Sequence, residues 1–281
     1  MTSRLRRYVV NLATTLLTKP LGRYERRTAN DLAGLRRHIK KGDVILVEGD
    51  QRVSEVIKYL TQSSWSHSAI YIGDELWRRN PAARDVMLEK FGEEAQHLMV
   101  EATVEDGVTA SPLSKYIDFN IRVCRPYNLR REDLHTVLDE VLGQIGYRYD
   151  IRHLVDLMRY FLPVSFVPRA LRRNALEFGS GLPTQVICST LIARAFERVR
   201  YPIVPQVTRH EEEESEPRGL VDWVRRRPLP PYGLFHMPPI TLTTPRDFDI
   251  SPFFEVIKFN IIADMQFDYR RIRWAEESKA S

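Results

Sequence analysis

Short apolar runs, bounded by glycine, proline or polar residues, set the strongest constraint on the fold of this chain. Apolar runs of about four to eight residues between such breakers are typical of buried strands. The first is Val44–Glu48, after a turn at Gly42-Asp43, and others lie at 67–73, 97–102 and 121–126, with a closing pair at 253–259 and 269–274. The sequence also predicts helices at 54–60, 81–96 and 131–143, and a fourth that begins near Cys188 and runs to about Val199. The pattern therefore predicts a sheet covered by helices.

The composition is that of an ordinary folded protein with a basic surface. The chain has 281 residues, of which 43% are hydrophobic and 28% charged, and its formal charge is +5. This is enough apolar material for one large domain or two small ones. We expect a helical extension over residues 1–40 and one catalytic domain over residues 41–281, with surface excursions at 81–96 and 205–245.

Cysteine content and hydropathy bear on the compartment. Two cysteines cannot form a disulfide scaffold, so we expect free thiols in a reducing compartment. No run approaches the ~18 apolar residues that cross a bilayer, and no small-residue cleavage site of a secretory signal follows the basic N-terminus. We therefore expect a cytoplasmic protein, either free or peripheral at the inner face of the membrane.

The N-terminal extension has two basic stretches with helical spacing. Residues 3–18 carry an apolar stripe opposite arginines and threonines. That stripe suits a membrane-surface helix, and it equally suits docking on the chain's own domain. Residues 23–41 form a second predicted helix, with Leu32, Leu35 and Ile39 on one face. This stretch lacks interleaved aromatic residues, so nucleic acid is not an expected partner.

The stretch 184–196 is predicted to be an apolar turn that leads into a helix, and Cys188 lies in the first turn of that helix. Free N–H groups and the helix dipole stabilise negative charge at that position, which favours the nucleophilic thiolate. Leu191, Ile192 and Ala195 are spaced to bury one face of the helix. The alternative is that Cys188 is a small buried apolar residue, which is our interpretation of Cys124 in its strand.

Two further residues would complete a site with Cys188. His67 begins a predicted strand between small serines, and Glu101 interrupts an otherwise apolar strand. A buried carboxylate needs a partner, which a histidine on a neighbouring strand would supply. A cysteine, a histidine and an orienting polar group are the general design of thiol hydrolases and acyltransferases. The alternatives are a structural histidine and a solvated glutamate.

Other chemistries have less support in the sequence. His97 precedes Glu101 by four residues, which on a strand puts both on one face, so it is an alternative partner. A zinc site of His67, Glu101 and Cys188 is not expected, because no further cysteines or histidines have ligand spacing. The chain has no glycine-rich phosphate loop, and we expect no cofactor.

Short motifs along the chain occur in the order of a known family. They are Gly42–Leu46, Trp65–Gly73, Val100–Ala102 with Gly107-Val108, Gly146–Asp150 and Ile187–Ile192, followed by 244–248 and 251–252. In these the chain resembles the circularly permuted branch of the papain-like, NlpC-like superfamily, in particular the YiiX/YaeF-type amidase-like proteins. The resemblance implies an α+β fold, in which the nucleophile helix packs on an antiparallel sheet and follows it in the chain.

The resemblance also implies roles for single residues. The nucleophile falls on Cys188, the base on His67 and the third polar residue on Glu101. The family's Tyr-Asp pair falls on Tyr149 and Asp150, and Tyr149 either lines the site, donates to an oxyanion or is a packed loop residue.

The sequence also offers two further site candidates and two departures from the family pattern. Ser66 and Ser189, adjacent to the base and the nucleophile, are additional candidates to contact substrate or an oxyanion. Thr190 stands where the family commonly has glutamate, from which we expect altered local pairing and retained chemistry. The segment between His67 and Glu101 is longer than usual.

The expected function is that of a cysteine-dependent hydrolase or acyltransferase, which acts on an amide, ester or thioester through an acyl–Cys188 intermediate. The expected substrate is a small-molecule, lipid or peptide acyl compound. The apolar stretch 153–167 is interpreted as a core helix, and the alternative is an acyl-chain groove, which together with the basic N-terminal helix would favour a lipidic or membrane-proximal substrate. The competing hypothesis is a non-catalytic membrane-surface binding or scaffold protein that retains the fold.

Overall fold

Six antiparallel strands form the sheet that the apolar runs predict. The structure is a computed structural model, and it describes residues 20, 22, 24–27, 29–103, 105–147, 187–208, 234–260 and 270. The strands are β1 (Val44–Glu48), β2 (His67–Gly73), β3 (Leu98–Thr103), β4 (Gly107–Pro112), β5 (Asn120–Pro126) and β8 (Phe254–Ile257), in the spatial order β4-β3-β2-β1-β5-β8. A separate two-stranded ribbon pairs β6 (Gln206–Thr208) with β7 (Leu234–His236).

Seven α-helices lie in the part of the chain that the structure describes. They are α1 (Leu32–His38), α2 (Arg52–Thr61), α3 (Glu75–Arg79), α4 (Arg84–Phe91), α5 (Arg131–Gly143), α6 (Ile187–Arg198) and α7 (Pro245–Ile250). Short 3₁₀ turns occur at Pro81–Ala83, Gly92–Gln96, Leu113–Tyr116 and Ile240–Leu242. None of these helices is both long enough and apolar enough to cross a membrane.

One face of the sheet packs against α5 and α6. Strand residues on this face, such as Leu46, Ile70 and Val100, share one buried cluster with helix residues. The helix residues of that cluster are Val137, Leu138, Val141, Leu191, Ile192, Ala195 and Phe196. The apolar residues of α6 thus bury one face of the helix, as predicted, and hold the helix that carries Cys188 against the sheet.

The opposite face of the sheet packs against α1. Ile45, Ala69 and Met99 on this face cluster with Leu35 and Ile39 from the end of the N-terminal extension. Alternation of side chains along each strand separates the two clusters, because consecutive residues point to opposite faces. The same alternation decides on which face each polar residue of β2 and β3 lies.

The N-terminal basic stretch departs from the sequence expectation. A helix is predicted over residues 23–41, but α1 begins only at Leu32. Asp31 is its N-cap, and its carboxylate accepts from the N–H groups of Ala33 and Gly34. Upstream, Asn30 donates its amide to the carbonyls of Ile117 and Phe119. Hydrogen bonds to the segment before β5 therefore replace the first turns of the predicted helix.

Strand β4 was not predicted, because the polar residues Thr109 and Ser111 interrupt its apolar signal. The closing strand predicted at 253–259 is confirmed as β8, and the charged segment 81–96 is helical in three pieces. Several predictions lie outside the described residues: the helix over residues 3–18, the apolar stretch 153–167 and most of the closing segment 269–274. The division into an extension and one domain stays a prediction.

Candidate active site

His67 and Glu101 meet on neighbouring strands. Ala69 of β2 stands opposite Glu101 of β3 in the antiparallel register, so His67 is a diagonal neighbour of Glu101 on the same face. His67 Nε2 lies 2.8 Å from Glu101 Oε2, where its N–H donates to the carboxylate. The structure thus joins the histidine and the carboxylate that the sequence analysis singles out.

Glu101 is fully buried and fully partnered. Lys115 Nζ donates to Oε1 at 2.6 Å, and the Tyr116 hydroxyl donates to Oε2 at 2.6 Å. Burial by itself would raise the pKa of Glu101, but the hydrogen bond and charge of His67, together with Lys115, outweigh it and hold the pKa well below its usual range. The carboxylate is therefore ionised at any working pH and faces the imidazole as an anion.

Cys188 is the second residue of α6 and is 3% exposed. Because α6 packs on β2 and β3, its N-terminus reaches the start of β2, where Cys188 meets His67 and Ser68. Since Nε2 of His67 is bound to Glu101, Nδ1 is the ring nitrogen left for the thiol. Cys188, His67 and Glu101 therefore form one connected chain of groups.

The electrostatics of the pair favour its charged form. Burial favours the neutral thiol, but the charge and hydrogen bond of His67, with smaller contributions from Ser68, outweigh it and lower the pKa of Cys188. Burial also disfavours a charged imidazole, yet the charge on Cys188 and the hydrogen bonds to Cys188 and Glu101 raise the pKa of His67. Both directions describe a thiolate–imidazolium pair, which is the activated state of a nucleophilic cysteine.

Tertiary contacts hold the turn that leads into His67. Trp65 Nε1 donates to Asp249 Oδ2 of α7 at 2.9 Å, and Arg122 lies over the Trp65 ring while it also pairs with Asp249. The N–H of Ser66 donates to the Val47 carbonyl of β1 at 3.1 Å. These contacts fix the backbone immediately before the histidine, so the ring position does not depend on a free loop.

The other predicted site residues lie as follows. The Ser66 hydroxyl accepts from the Gly49 N–H at 2.9 Å, and the Ser189 hydroxyl donates to the Thr243 carbonyl at 2.6 Å. Both hydroxyls thus tie segments around the site together, and a direct role toward substrate stays a prediction for each. Tyr149 and Asp150 lie outside the described residues. Thr190 Oγ1 is buried without a hydrogen-bond partner among the described residues.

The structure also places His97 and Cys124, the other histidine and cysteine considered in the sequence analysis. The ring of His97 pairs with the Tyr71 hydroxyl, with 3.0 Å between Nδ1 and the oxygen, so Glu101 takes His67 and not His97 as its partner. Cys124 is fully buried in β5, which confirms its interpretation as a core residue. Burial raises the pKa of Cys124 to about 12.

Sequence reasoning missed Ser68, Lys115 and Tyr116. Lys115 and Tyr116 lie in the 3₁₀ turn after β4, and no motif connects that turn to Glu101. The antiparallel pairing of β3 with β4 brings the turn after β4, and with it Lys115 and Tyr116, next to the Glu101 carboxylate. Among the described residues, no group of three or more His, Cys, Asp and Glu side chains converges as metal ligands do.

Comparison with known proteins gives the class. The sequence profile of the permuted papain-like amidase enzymes, the YaeF/YiiX type of the C92 family, matches residues 38–242. Since this is well over half of the chain, the protein belongs to that family and is a cysteine hydrolase of the amidase class with a circularly permuted, papain-like fold. The α+β fold and the family resemblance inferred from the sequence are thereby confirmed.

A solved structure gives a weaker likeness. The crystal structure of the metalloprotein yiiX from Escherichia coli O157:H7 aligns with a TM-score of 0.43 at 13% sequence identity, over 79% of this chain and 98% of that chain. No curated protein matches the chain. The assignment to the family therefore rests on the sequence profile.

Proposed function

We propose that this protein is a cysteine amidase in which Cys188 is the nucleophile, His67 the general acid and base, and Glu101 the group that orients and charges the imidazole. The observation that carries the proposal is the connected series of contacts from Cys188 through His67 to the buried Glu101 carboxylate. The opposite pKa shifts of thiol and imidazole support it, since they favour the charged pair.

Acylation begins with the charged pair. The Cys188 thiolate attacks the carbonyl carbon, a C–S bond forms, and the electron pair of the carbonyl bond moves to oxygen. When this tetrahedral species collapses, the C–N bond breaks and the leaving nitrogen takes the proton of the His67 imidazolium. The products are an acyl–Cys188 thioester, a free amine and a neutral His67, whose ring Glu101 keeps in place.

Deacylation reverses the proton movement. Neutral His67 takes a proton from water as the oxygen attacks the thioester, and the new tetrahedral species expels the Cys188 thiolate. The acid product leaves, and the imidazolium–thiolate pair is restored. An acceptor other than water would give acyl transfer from the same intermediate, so hydrolysis and transfer share every step up to the acyl enzyme.

The position of Cys188 also supplies a donor for the oxyanion. As the second residue of α6, its N–H is among those that an α-helix leaves without an intrahelical acceptor. Such an N–H, next to the reacting sulfur, suits the oxygen that becomes charged in both tetrahedral species. The substrate remains a prediction from the sequence: an acyl-amino acid, peptide or lipid. The stretch 153–167, which as an acyl-chain groove would favour a lipid, lies outside the described residues.

The test is the reactivity of each thiol alone. Iodoacetamide labelling at pH 7, followed by intact-mass spectrometry, is measured for Cys124→Ser, which keeps Cys188, and for Cys188→Ser, which keeps Cys124. Cys188 is expected to react at least about tenfold faster than N-acetylcysteine, and Cys124 far slower than either. A Cys188 rate no greater than that of N-acetylcysteine would contradict the proposal.

A further inference from the structure

Ser68 is a fully buried residue, 0% exposed, whose hydroxyl has no well-aligned hydrogen bond in the described part of the chain. Buried hydroxyls in folded proteins are nearly always paired, so an orphaned one needs a reason. Alanine would fit the same space and bury no polar group.

The strand register gives the direction in which Ser68 points. Ser68 stands opposite Leu46 of β1, and Leu46 belongs to the cluster that packs against α6. Side chains alternate along β2, so His67 points to one face while Ser68 points to the face that carries α6. The two consecutive residues therefore approach Cys188 from different sides at the start of β2.

The hydroxyl and the main chain of Ser68 both lie close enough to Cys188 to act on its sulfur, and both lower the pKa of the thiol. A thiolate accepts hydrogen bonds much more strongly than a thiol does. The hydroxyl thus has a good partner only in the ionised state of the cysteine. Catalytic hydrogen bonds are commonly long or misaligned before substrate binds, which fits the absence of an aligned bond here.

We infer that Ser68 is a thiolate-positioning residue, whose hydroxyl donates to Cys188 Sγ in the ionised state and holds the sulfur beside His67. The inference rests on the proposed function, because it takes Cys188 as the nucleophile. It adds a second donor to the sulfur, from the residue that follows His67 in β2. The unfavourable free energy of burying the unpaired Ser68 hydroxyl is offset when the Cys188 thiolate forms and accepts its hydrogen bond.

The experiment is the pH dependence of Cys188 labelling in the Cys124→Ser background, with and without Ser68→Ala. A hydrogen bond to a charged acceptor is expected to move the midpoint upward by about one pH unit when it is removed. The other titratable groups near the sulfur, His67, Tyr116 and, through His67, Glu101, are unchanged in this variant. Ser68→Ala should also unfold at the same temperature as its parent or a higher one, since it removes an unpaired polar group.

Ser251→Ala is the matched control. It removes a buried serine hydroxyl that is bound to the Ile203 carbonyl and the Phe253 N–H, so it should lower thermal stability and leave the midpoint in place. An unchanged midpoint in Ser68→Ala, with Cys188 still fast, would overturn the role of Ser68 and leave the proposed function standing. A Cys188 that reacts no faster than N-acetylcysteine with Ser68 intact would overturn both, since there would be no thiolate to hold.

Discussion

Cys124 and Cys188 are the two cysteines of the chain, and both are almost completely buried, at 0% and 3% exposure. Burial favours the neutral thiol in both cases, and in Cys124 it prevails and raises the pKa to about 12. At Cys188 the charge and hydrogen bond of His67 outweigh the effect of burial and lower the pKa of the thiol. The comparison shows that a reactive cysteine in this fold is made by its neighbour, because equal burial gives opposite results.

The neighbour is itself maintained by a buried anion. His67 carries a raised pKa even though burial opposes its charge, since Cys188 and Glu101 both stabilise the imidazolium. Glu101 in turn is held by Lys115 and Tyr116. Among the described residues, the charged groups that act on Cys124 are Asp249 and Asp43, which raise its pKa, and Arg122, which lowers it. Substituting the residues that connect Glu101 to Cys188 one at a time therefore tests how far the reactivity of Cys188 falls toward that of Cys124.

The largest effect is expected from His67→Ala. Without the imidazolium, the contacts from Ser68 are left to oppose burial at Cys188, so its pKa should rise toward that of Cys124. Iodoacetamide labelling of Cys188 at pH 7 should slow at least about 100-fold. His97→Ala is the control, because that ring contacts Tyr71 and not the site. Fast labelling of Cys188 in His67→Ala would contradict the claim that His67 makes Cys188 more reactive than Cys124.

A large difference is also expected in the pH dependence of the two thiols. The lowered pKa of Cys188 places its labelling midpoint below that of an ordinary free thiol, and the thiolate is lost as pH falls through that midpoint. The raised pKa of Cys124 means that its labelling still rises about tenfold per unit up to pH 10. Rates measured from pH 4 to 10 on the two single-cysteine proteins decide this. If the two thiols showed the same pH dependence, the proposed difference between the pKa of Cys188 and that of Cys124 would be contradicted.

Glu101→Gln should have an intermediate effect. The neutral amide no longer stabilises the imidazolium, so the pKa of His67 falls, that of Cys188 rises, and labelling at pH 7 slows roughly tenfold. The free energy of unfolding should also drop by roughly 1–3 kcal/mol, because Lys115 and Tyr116 lose their anionic partner. Urea titration and labelling measure the two quantities separately.

Glu75→Gln is the control for that stability loss. Glu75 is the other buried glutamate of the described chain, and it is bound by Lys41, Arg78 and Arg79 after the far end of β2. Its variant should be destabilised to a similar extent while Cys188 labels at the normal rate. Slower labelling in Glu75→Gln as well would mean that loss of stability, and not the charge on Glu101, controls the thiol.

The smallest effect is expected from Lys115→Met. Lys115 pairs with Glu101 at 2.6 Å, but its side chain is 38% exposed, so solvent and salt screen the interaction. Labelling of Cys188 at pH 7 should slow about twofold to threefold, and the difference from the parent protein should shrink in 0.5 M salt. An effect as large as that of Glu101→Gln would show that Lys115 does more than neutralise the carboxylate.

Much of the fold could be read from the sequence, because its signals are local. The strand at Val44–Glu48 and the helix at Arg131–Gly143 appear where apolar spacing places them. Strand β4 was missed, since alternating threonine and serine hide its pattern. The helix before β1 is shorter than predicted, because Asn30 is held by carbonyls almost ninety residues away in the chain. Long-range hydrogen bonds of this kind leave no periodic signal.

The order His67, Glu101, Cys188 and the type of element that carries each residue could be predicted from the chain, because residue spacing encodes strands and helices. Whether the three side chains meet could not be predicted in this way. Their meeting depends on the register that sets His67 diagonal to Glu101 and on the packing of α6 on the sheet. The tertiary structure also added Lys115, Tyr116 and Ser68. The physical reason is that charge stabilisation in a buried site depends on distances of about 3 Å, and residues far apart in the chain reach such distances only when the chain folds.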